Sequence, residues 1–403
     1  MIQKLYSRGL YLARIRPFIG KNLIKIITGQ RRIGKSYILK QLIAEIKKTV
    51  PAAHVIYIDK ELEKFAAIRT DEDLNRYVTD HLVDGKQNVL IVDEVQEIHS
   101  FERCLRSLLN QQQCDIYCSG SNATMLSSEL ATLLAGRYIE IPIHSLSYSE
   151  FLEFNQLPPS KDNLTSYLTV GGMPYQFHLG LDPNIVFEYL RSLYSTILLR
   201  DVVSRENIRN VPLLENLVSY VADNTGSLFS AQNISKYLKS QRIGIPPQTV
   251  INYLKALTNA YFIHKVPRAD INGLKIFEIG EKYYFEDLGL RNSVRSFNYR
   301  GDINKLMENA VYLHLLRNNY KVFVGKSGEK EIDFMAERNG ERVYVQVAYQ
   351  LTDENVIQRE FGNLADIPDN YPKYVVTLDE IQPRNTYKGI RQLNLEPFLL
   401  EQI

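Results

Sequence analysis

The segment Gly29-Gln30-Arg31-Arg32-Ile33-Gly34-Lys35-Ser36 constrains this chain more than any other. Before it comes the apolar, β-branched run Leu23 to Thr28, which reads as a strand. After it comes Tyr37 to Lys48, in which Ile38, Leu39, Leu42, Ile43 and Ile46 fall at helical spacing. A strand, a glycine-bounded loop and a helix in this order make the phosphate-binding loop of P-loop NTPases, and that unit belongs in an α/β fold with a parallel sheet. Chemistry accounts for each fixed residue. The glycines let the backbone turn its N–H groups toward phosphate oxygens, Lys35 reaches the β and γ oxygens, and the Ser36 hydroxyl takes a coordination site on Mg²⁺. The expected ATP-binding set is Gly29, Gln30, Arg31, Arg32, Ile33, Gly34, Lys35, Ser36 and Tyr37.

A P-loop needs a second metal contact and a way to position water, and the next strands offer both. His54 to Ile58 reads as a second strand ending in Asp59, and Asn88 to Val92 as a third ending in Asp93-Glu94. Four apolar residues followed by Asp-Glu is the Walker B pattern: Asp93 would hold Mg²⁺ through its water shell, and Glu94 would orient or deprotonate the water attacking the γ-phosphate. A fourth strand, Asp115 to Cys118, leads into Ser119-Gly120-Ser121-Asn122. A polar side chain there would lie beside the γ-phosphate; Asn122 is the first candidate and Ser121 the second, the alternative being a turn that caps the next helix. Leu133-Leu134-Ala135-Gly136-Arg137 then precedes a strand from Tyr138 to Ile143. Arg137 is a candidate arginine finger, acting in cis or on a neighbouring copy, or else a plain surface residue.

Composition bounds the remaining classes. The 403 residues, 45% hydrophobic, are enough for two to four domains. Lys and Arg total 48 against 46 Asp and Glu, a net charge of +2, so any basic surface must be local. Cys104, Cys114 and Cys118 contain no CxxC pair, which argues against a disulfide framework or structural zinc and for a reducing, cytoplasmic setting. The basic N-terminal residues Lys4, Arg8, Arg14 and Arg16 are followed by no long apolar run, so a signal peptide or membrane helix is not expected.

Residues 145–210 read as helical, with Val186, Leu190, Leu193 and Ile197 on one face and the mixed-charge run Arg200-Asp201, Arg205 and Arg209 at the end. Pro212 to Ala222, Ser230 to Lys239, Pro247 to Ala260 and Tyr261 to Val266 then follow as helix, helix, helix, strand, the order of a winged helix-turn-helix. Between Asn224 and Ala269 stand Lys236, Lys239, Arg242, Lys255, Lys265 and Arg268, and no acidic residue. Gln248, Thr249 and Asn252 would face a DNA groove with the lysines on phosphates; alternatively, the module is an interaction or regulatory surface. In the last hundred residues, Glu308 on a helix and Asp333 on a strand fit a restriction-endonuclease-like metal site. Gln346-Val347-Ala348, however, puts Ala where that site needs a lysine, so a retained but degenerate fold is expected unless Lys330 or Lys326 takes the role.

On these residues, together with Leu90 to Gln96 and Gly171-Gly172-Met173-Pro174, the chain resembles the bacterial and archaeal AAA-type ATPases that share a C-terminal domain of unknown function. The resemblance spans almost the whole chain. It implies an AAA-type core over 1–144, a helical lid over 145–210, a winged helix over 211–270, and a linker with a restriction-endonuclease-like α/β domain over 271–403. One departure is visible: where a lid helix of AAA proteins often carries a sensing arginine, this chain has Gly171-Gly172-Met173-Pro174. The expected function is an ATP-binding and hydrolysing switch acting with DNA or a protein partner, with a homo-oligomer required if Arg137 acts in trans. An ATP-gated, Mg²⁺-dependent DNA nuclease using Glu308, Asp333 and Gln346 is the alternative, and a scaffold with structural nucleotide is a third reading.

Overall fold

A computed structural model describes residues 6–123, 134, 136–240, 243–271, 273, 276–294, 298–351, 354–379 and 386–401, without the side chains of 277–279. Leu133, Ala135 and Arg242 lie outside the described residues. The chain divides into two units, Met1–Ile143 with Asn259–Tyr261, and His144–Thr258 with Phe262–Ile403.

The first unit is built on a parallel sheet of β1 (Ile24–Thr28), β2 (His54–Asp59), β3 (Asn88–Asp93), β4 (Asp115–Gly120) and β5 (Tyr138–Pro142), in the order β2-β3-β4-β1-β5. β1 is central and buried along its whole length, as a strand covered on both faces must be. Alternation along the strands feeds two cores. Ile24, Ile26, Leu90, Val92 and Ile116 pack under α3 (Asp71–Asp80) and α4 (Phe101–Asn110). Ile27, Val89, Ile91 and Tyr117 pack on the opposite face with α1 (Gly9–Ile15) and α2 (Lys35–Thr49). Because β4 lies between β1 and β3, the ends of β1, β4 and β3 stand side by side where the loop after β1 begins. Cys104, Cys114 and Cys118 are buried free thiols within this unit.

The second unit opens with α5 (Tyr148–Asn155), α6 (Lys161–Val170), α7 (Pro183–Thr196), which runs on as a π-helix over Ile197–Ser204, and α8 (Val211–Asp223). Then come α9 (Ala231–Ser240), α10 (Pro247–Asn259), β6 (Ile263–Asp270) and β7 (Ile276–Phe285). The last two strands form an antiparallel pair that continues into a mixed seven-stranded sheet with β8 (Lys321–Ser327), β9 (Lys330–Arg338), β10 (Glu341–Val347), β11 (Lys373–Thr377) and β12 (Arg391–Asn394), in the order β12-β11-β10-β9-β8-β6-β7. Between β7 and β8 come the short α11 (Leu288–Ser293) and the long α12 (Tyr299–Arg317), whose buried residues run round its circumference, as expected of a helix enclosed by protein. No helix among the described residues is long and apolar enough to cross a membrane.

Gly171-Gly172 has a packing role here. Gly171 ends α6 at φ +77°, and a Cβ on it would meet the Gly289 nitrogen at 2.3 Å; one on Gly172 would meet the Leu146 carbonyl oxygen at 2.4 Å. From the other side, a Cβ on Gly289 would lie 1.9 Å from the Val170 carbonyl oxygen. Asp287 closes the contact by accepting hydrogen bonds from the backbone N–H groups of Gly172 and Leu290 at 2.7 and 2.9 Å. Backbone thus packs on backbone. Gly289→Ala is expected to destabilise the protein by about 3 kcal/mol or more, because the clash is with main chain that cannot rotate away. A denaturation midpoint within experimental scatter of wild type would refute this account of the glycines.

Candidate functional site

The loop after β1 turns on two glycines. Gly29 takes φ +146°, and a Cβ on it would lie 2.4 Å from the Ile143 carbonyl oxygen; Gly34 caps α2 in the left-handed region at φ +100°. Arg32 also takes a positive φ, +65°, a conformation costing about 1–2 kcal/mol for a side-chain-bearing residue and often kept at functional sites. The loop therefore leads into the N-terminus of a fifteen-residue helix, where backbone N–H groups and the positive end of the helix dipole favour an anion.

Lys35 is buried over this loop. Its ammonium donates to the carbonyl oxygens of Gly29 and Gln30 at 3.1 and 3.0 Å and lies 3.4 Å from Glu94 Oε1. Ser36, one residue on, hydrogen-bonds the Asp93 carboxylate at the end of β3. The two groups expected on one Mg²⁺ are thus already in contact, and both donate oxygen, the donor that Mg²⁺ requires. Gln30 is fully buried, and neither atom of its side-chain amide is hydrogen-bonded. A buried amide in this state is costly unless a ligand or water meets it, which suits a loop made to receive phosphate.

β4 supplies the support that sequence spacing left undefined. Ser119 Oγ donates to Asp93 and accepts the Glu94 N–H at 3.1 Å, locking the Asp-Glu pair to the neighbouring strand. Ser121 Oγ donates to Glu94 Oε2 at 3.1 Å, and Gln96 donates to the same oxygen. Glu94 itself sits at φ +55°. Burial opposes its ionisation, but the Lys35 ammonium, the Gln96 amide and the Arg31 charge bring its carboxyl down to about 2. At Asp93 burial prevails over the Ser119 and Ser36 hydrogen bonds and pushes the carboxyl above its ordinary value. Tyr57 adds a hydrogen bond to Asp93 Oδ2 at 3.2 Å, and Arg31 is tied to Glu61 at 3.1 Å. Ser119, Gln96 and Tyr57 escaped sequence reasoning because serine, glutamine and tyrosine near strand ends carry no signal until the strand order is known.

Of the remaining sequence candidates, Ser121 is in the cluster and Asn122 stands half-buried just after it. Tyr37 is exposed on the first turn of α2. Arg137 is not brought to the loop. It precedes β5 beside Ile24, at the start of β1, with its guanidinium on Asn110 Oδ1 at 2.6 Å; the P-loop lies at the other end of β1, about 15 Å away for five residues of strand.

The second unit holds an acidic cavity of about 530 Å³, lined by Glu308, Glu331, Asp333, Gln346, Arg359 and Glu360 among others. Lys282, from β7, contacts three of the lining carboxylates: its ammonium lies 2.9 Å from Glu308 Oε1, 3.0 Å from Glu331 Oε1 and 3.4 Å from Asp333 Oδ1. Burial disfavours this cation, but the three carboxylates raise it above the ordinary lysine range, so it stays charged. Tyr284 donates to Glu308 Oε1 at 2.6 Å, and burial, partly offset by Lys282 and reinforced by Asp333, pushes the Glu308 carboxyl above its ordinary value. Asp333 Oδ2 accepts the Val347 N–H at 2.9 Å, and Gln346 Oε1 accepts the Asp333 N–H at 3.2 Å. Lys282 is thus the cation that stands beside Glu308 and Asp333, while Ala348 follows Val347 without one. Lys330, named from sequence for that role, pairs with Asp366 on the surface instead.

On α10, Gln248, Ile251, Asn252 and Lys255 are exposed at the i, i+3, i+4, i+7 spacing of one helix face, and Lys236 and Lys239 are exposed on α9. Thr249 is half-buried. Lys265 and Arg268 have acidic neighbours, Glu281 at 3.2 Å and Glu331 at 4.0 Å, so the charge polarisation read along the chain is reduced in space.

Comparison with known proteins places the stretch that carries the first site in an AAA domain. The AAA domain family matches residues 21–152, and a domain of unknown function, DUF8612, matches residues 161–300. An uncharacterized protein of Haemophilus influenzae is 32% identical over 407 residues, covering the whole of both chains. An uncharacterized protein of Methanocaldococcus jannaschii, MJ1544, is 30% identical over 349 residues, 83% of this chain and 76% of that one. Among solved structures, the Walker-type ATPase PABY2304 of Pyrococcus abyssi shares the fold at 14% identity, with a TM-score of 0.53 over 72% of this chain and 96% of that one.

Proposed function

The chain belongs to one family with the Haemophilus influenzae protein and carries an AAA domain, and we propose that it is an ATPase working as a switch, in which ATP binding and hydrolysis in the first unit control how the second unit engages DNA or a protein partner. The observation that carries the reading is the convergence of Lys35, Ser36, Asp93 and Glu94 at one end of β1 and β3, each already bonded to a partner that ATP chemistry would use. Phosphate oxygens would draw the Lys35 ammonium away from the Gly29 and Gln30 carbonyls and from Glu94. Ser36 and Asp93 would hold Mg²⁺, which when bound neutralises charge on the β and γ oxygens. Glu94, freed from Lys35 and still fixed by Ser121 and Gln96, would orient the attacking water and accept its proton.

Arg137 fits this reading only in trans. Its distance from its own P-loop leaves a second copy's γ-phosphate as the place where a finger could act, which would make the working form an oligomer. The exposed Gln248, Ile251, Asn252 and Lys255 face, with Lys236 and Lys239 close in sequence, favours DNA as partner, the three helices and strand pair acting as a winged helix. The test is Mg²⁺-dependent phosphate release by wild type and by Lys35→Ala, each with and without plasmid. Turnover that needs Lys35 and rises with DNA left intact is expected. Turnover indifferent to Lys35→Ala would refute the ATP site.

A second reading, an ATP-gated nuclease with a restriction-endonuclease-like second unit, is favoured by one observation: Lys282 reaches the Glu308–Asp333 cluster. A cation kept protonated there would stabilise the charge developing on a phosphodiester oxygen, with the carboxylates as metal ligands. On this reading the same plasmid is nicked, and nicking disappears in Asp333→Ala and in Lys282→Met while ATP turnover persists. A plasmid left intact by wild type in Mg²⁺ and in Mn²⁺ would dismiss it.

A further inference from the structure

Away from both sites, three residues of the second unit bring metal-ligating atoms together. His144 opens the unit, His264 lies on β6, and Glu286 directly follows β7. Antiparallel pairing of β6 with β7 sets Ile263 opposite Phe285 and so fixes where the chain carries Glu286. Glu286 Oε2 lies 3.0 Å from His144 Nδ1 and 2.5 Å from His264 Nε2, and the three candidate ligand atoms all fall within 4.8 Å of one another. We propose that His144, His264 and Glu286 form a binding site for one zinc-type divalent ion.

The geometry supports this beyond proximity. Ligands about 2.0 Å from a tetrahedral ion stand about 3.3 Å apart, so the two Glu286–histidine separations need only small outward shifts of the rings to admit one. The other carboxylate oxygen, Oε1, is taken by the Ser145 N–H at 2.8 Å, which leaves Oε2 as the single oxygen aimed at both imidazoles. Ser145 is itself held in place: its hydroxyl donates to the Glu286 carbonyl oxygen at 2.8 Å, and Arg317 donates to its carbonyl oxygen at 3.1 Å and to its hydroxyl at 3.0 Å. Such outer contacts are what orient a ligating carboxylate. The Arg317 charge also acts on His144 and weakens the attraction for a cation.

The donor set decides the ion. Two imidazole nitrogens and one carboxylate suit Zn²⁺ and its neighbours, whereas Mg²⁺ and Ca²⁺ seek oxygen, so this site would not compete for the ion of the nucleotide site. Three protein ligands leave a fourth position. The His264 side chain is 15% exposed, which gives water a route to that position and the ion a way in. Binding requires each histidine to carry its proton on the ring nitrogen turned away from the ion. Bound in this way, the ion would clip the start of the unit to the β6–β7 pair.

The full-length protein, stripped with chelator and free of nucleotide, is titrated with Zn²⁺ against a chromophoric chelator and with Co²⁺ by visible absorption. One ion per chain is expected, with a dissociation constant below about 10 μM, and Co²⁺ bands of four-coordinate intensity. His264→Ala is expected to weaken binding at least about 100-fold and to remove the bands. Glu286→Gln, nearly isosteric, should weaken it by at least about 10-fold and serves if His264→Ala does not fold. Equal stoichiometry and affinity in wild type and variants would place the ion elsewhere, on the acidic cavity or the thiols, and overturn the proposal. Absence of binding tighter than about 10 μM in wild type would do the same.

Discussion

Glu94→Gln lowers ATP turnover by about 10²–10⁴-fold while ATP affinity stays within a few-fold of wild type or tightens. The variant keeps the size of the side chain and its bonds to the β4 end but removes the group that accepts a proton from water. Its effect on binding follows from the Lys35–Glu94 contact at 3.4 Å, which holds the lysine away from incoming phosphate. With a neutral amide there, Lys35 is restrained only by the Gly29 and Gln30 carbonyls. Lys35→Ala makes the contrast: it removes the cation itself, so nucleotide affinity falls with turnover. Phosphate release and binding of a fluorescent ATP analogue, measured on both variants, separate the two roles. Turnover of Glu94→Gln within tenfold of wild type would remove Glu94 from the proton-transfer step and leave it as a partner of Lys35 only.

The residues of the candidate nucleotide site are legible because they are contiguous in the chain and each has a place in phosphate chemistry. Gly29, Lys35, Ser36, Asp93 and Glu94 could be named from two short segments, since a strand that ends in a loop delivers neighbours in sequence as neighbours in space. Ser119 could not, because its importance depends on β4 lying between β1 and β3, a fact of strand order. The same limit applies more strongly to Lys282. It stands 26 residues before Glu308 and 51 before Asp333, and only the long sheet of the second unit brings it to them. Arg137 was legible as a residue type but not as a position: β5 runs parallel to β1, so a residue before β5 must lie at the end of the sheet away from the P-loop. Gly171-Gly172 was read against a missing sensing arginine, whereas the close approach of α6, Leu146 and α11 gives both glycines a steric reason.

The second large effect is on stability and lies at the opposite end of β1 from the P-loop. Asp115→Ala is expected to cost about 3–5 kcal/mol, because it strips a fully buried ammonium of its counter-ion. Lys25, the second residue of β1, is wholly enclosed; its ammonium contacts the Asp115 carboxylate and donates to the carbonyl oxygens of Lys21 and Leu23 at 3.1 and 2.8 Å. Asp115 Oδ2 also accepts the Gly20 N–H and the Tyr117 hydroxyl, each at 2.8 Å. Burial pushes the Lys25 amine below its ordinary value, with Asp115 opposing, so loss of the carboxylate leaves a choice between an unpaired charge and a deprotonated amine, both unfavourable. A drop of about 10 °C in apparent Tm follows for a unit of this size. The chain has no tryptophan, so the transition is best followed by circular dichroism together with nucleotide binding. Lys25→Met/Asp115→Asn removes both charges and keeps an acceptor for Gly20 and Tyr117; it should recover at least about 2 kcal/mol relative to Asp115→Ala, since paired buried charges are often replaceable by a neutral pair of similar volume. If Asp115→Ala stays within about 1 kcal/mol of wild type, or the double variant is no more stable than the single one, the buried pair is not what holds β1 to β4.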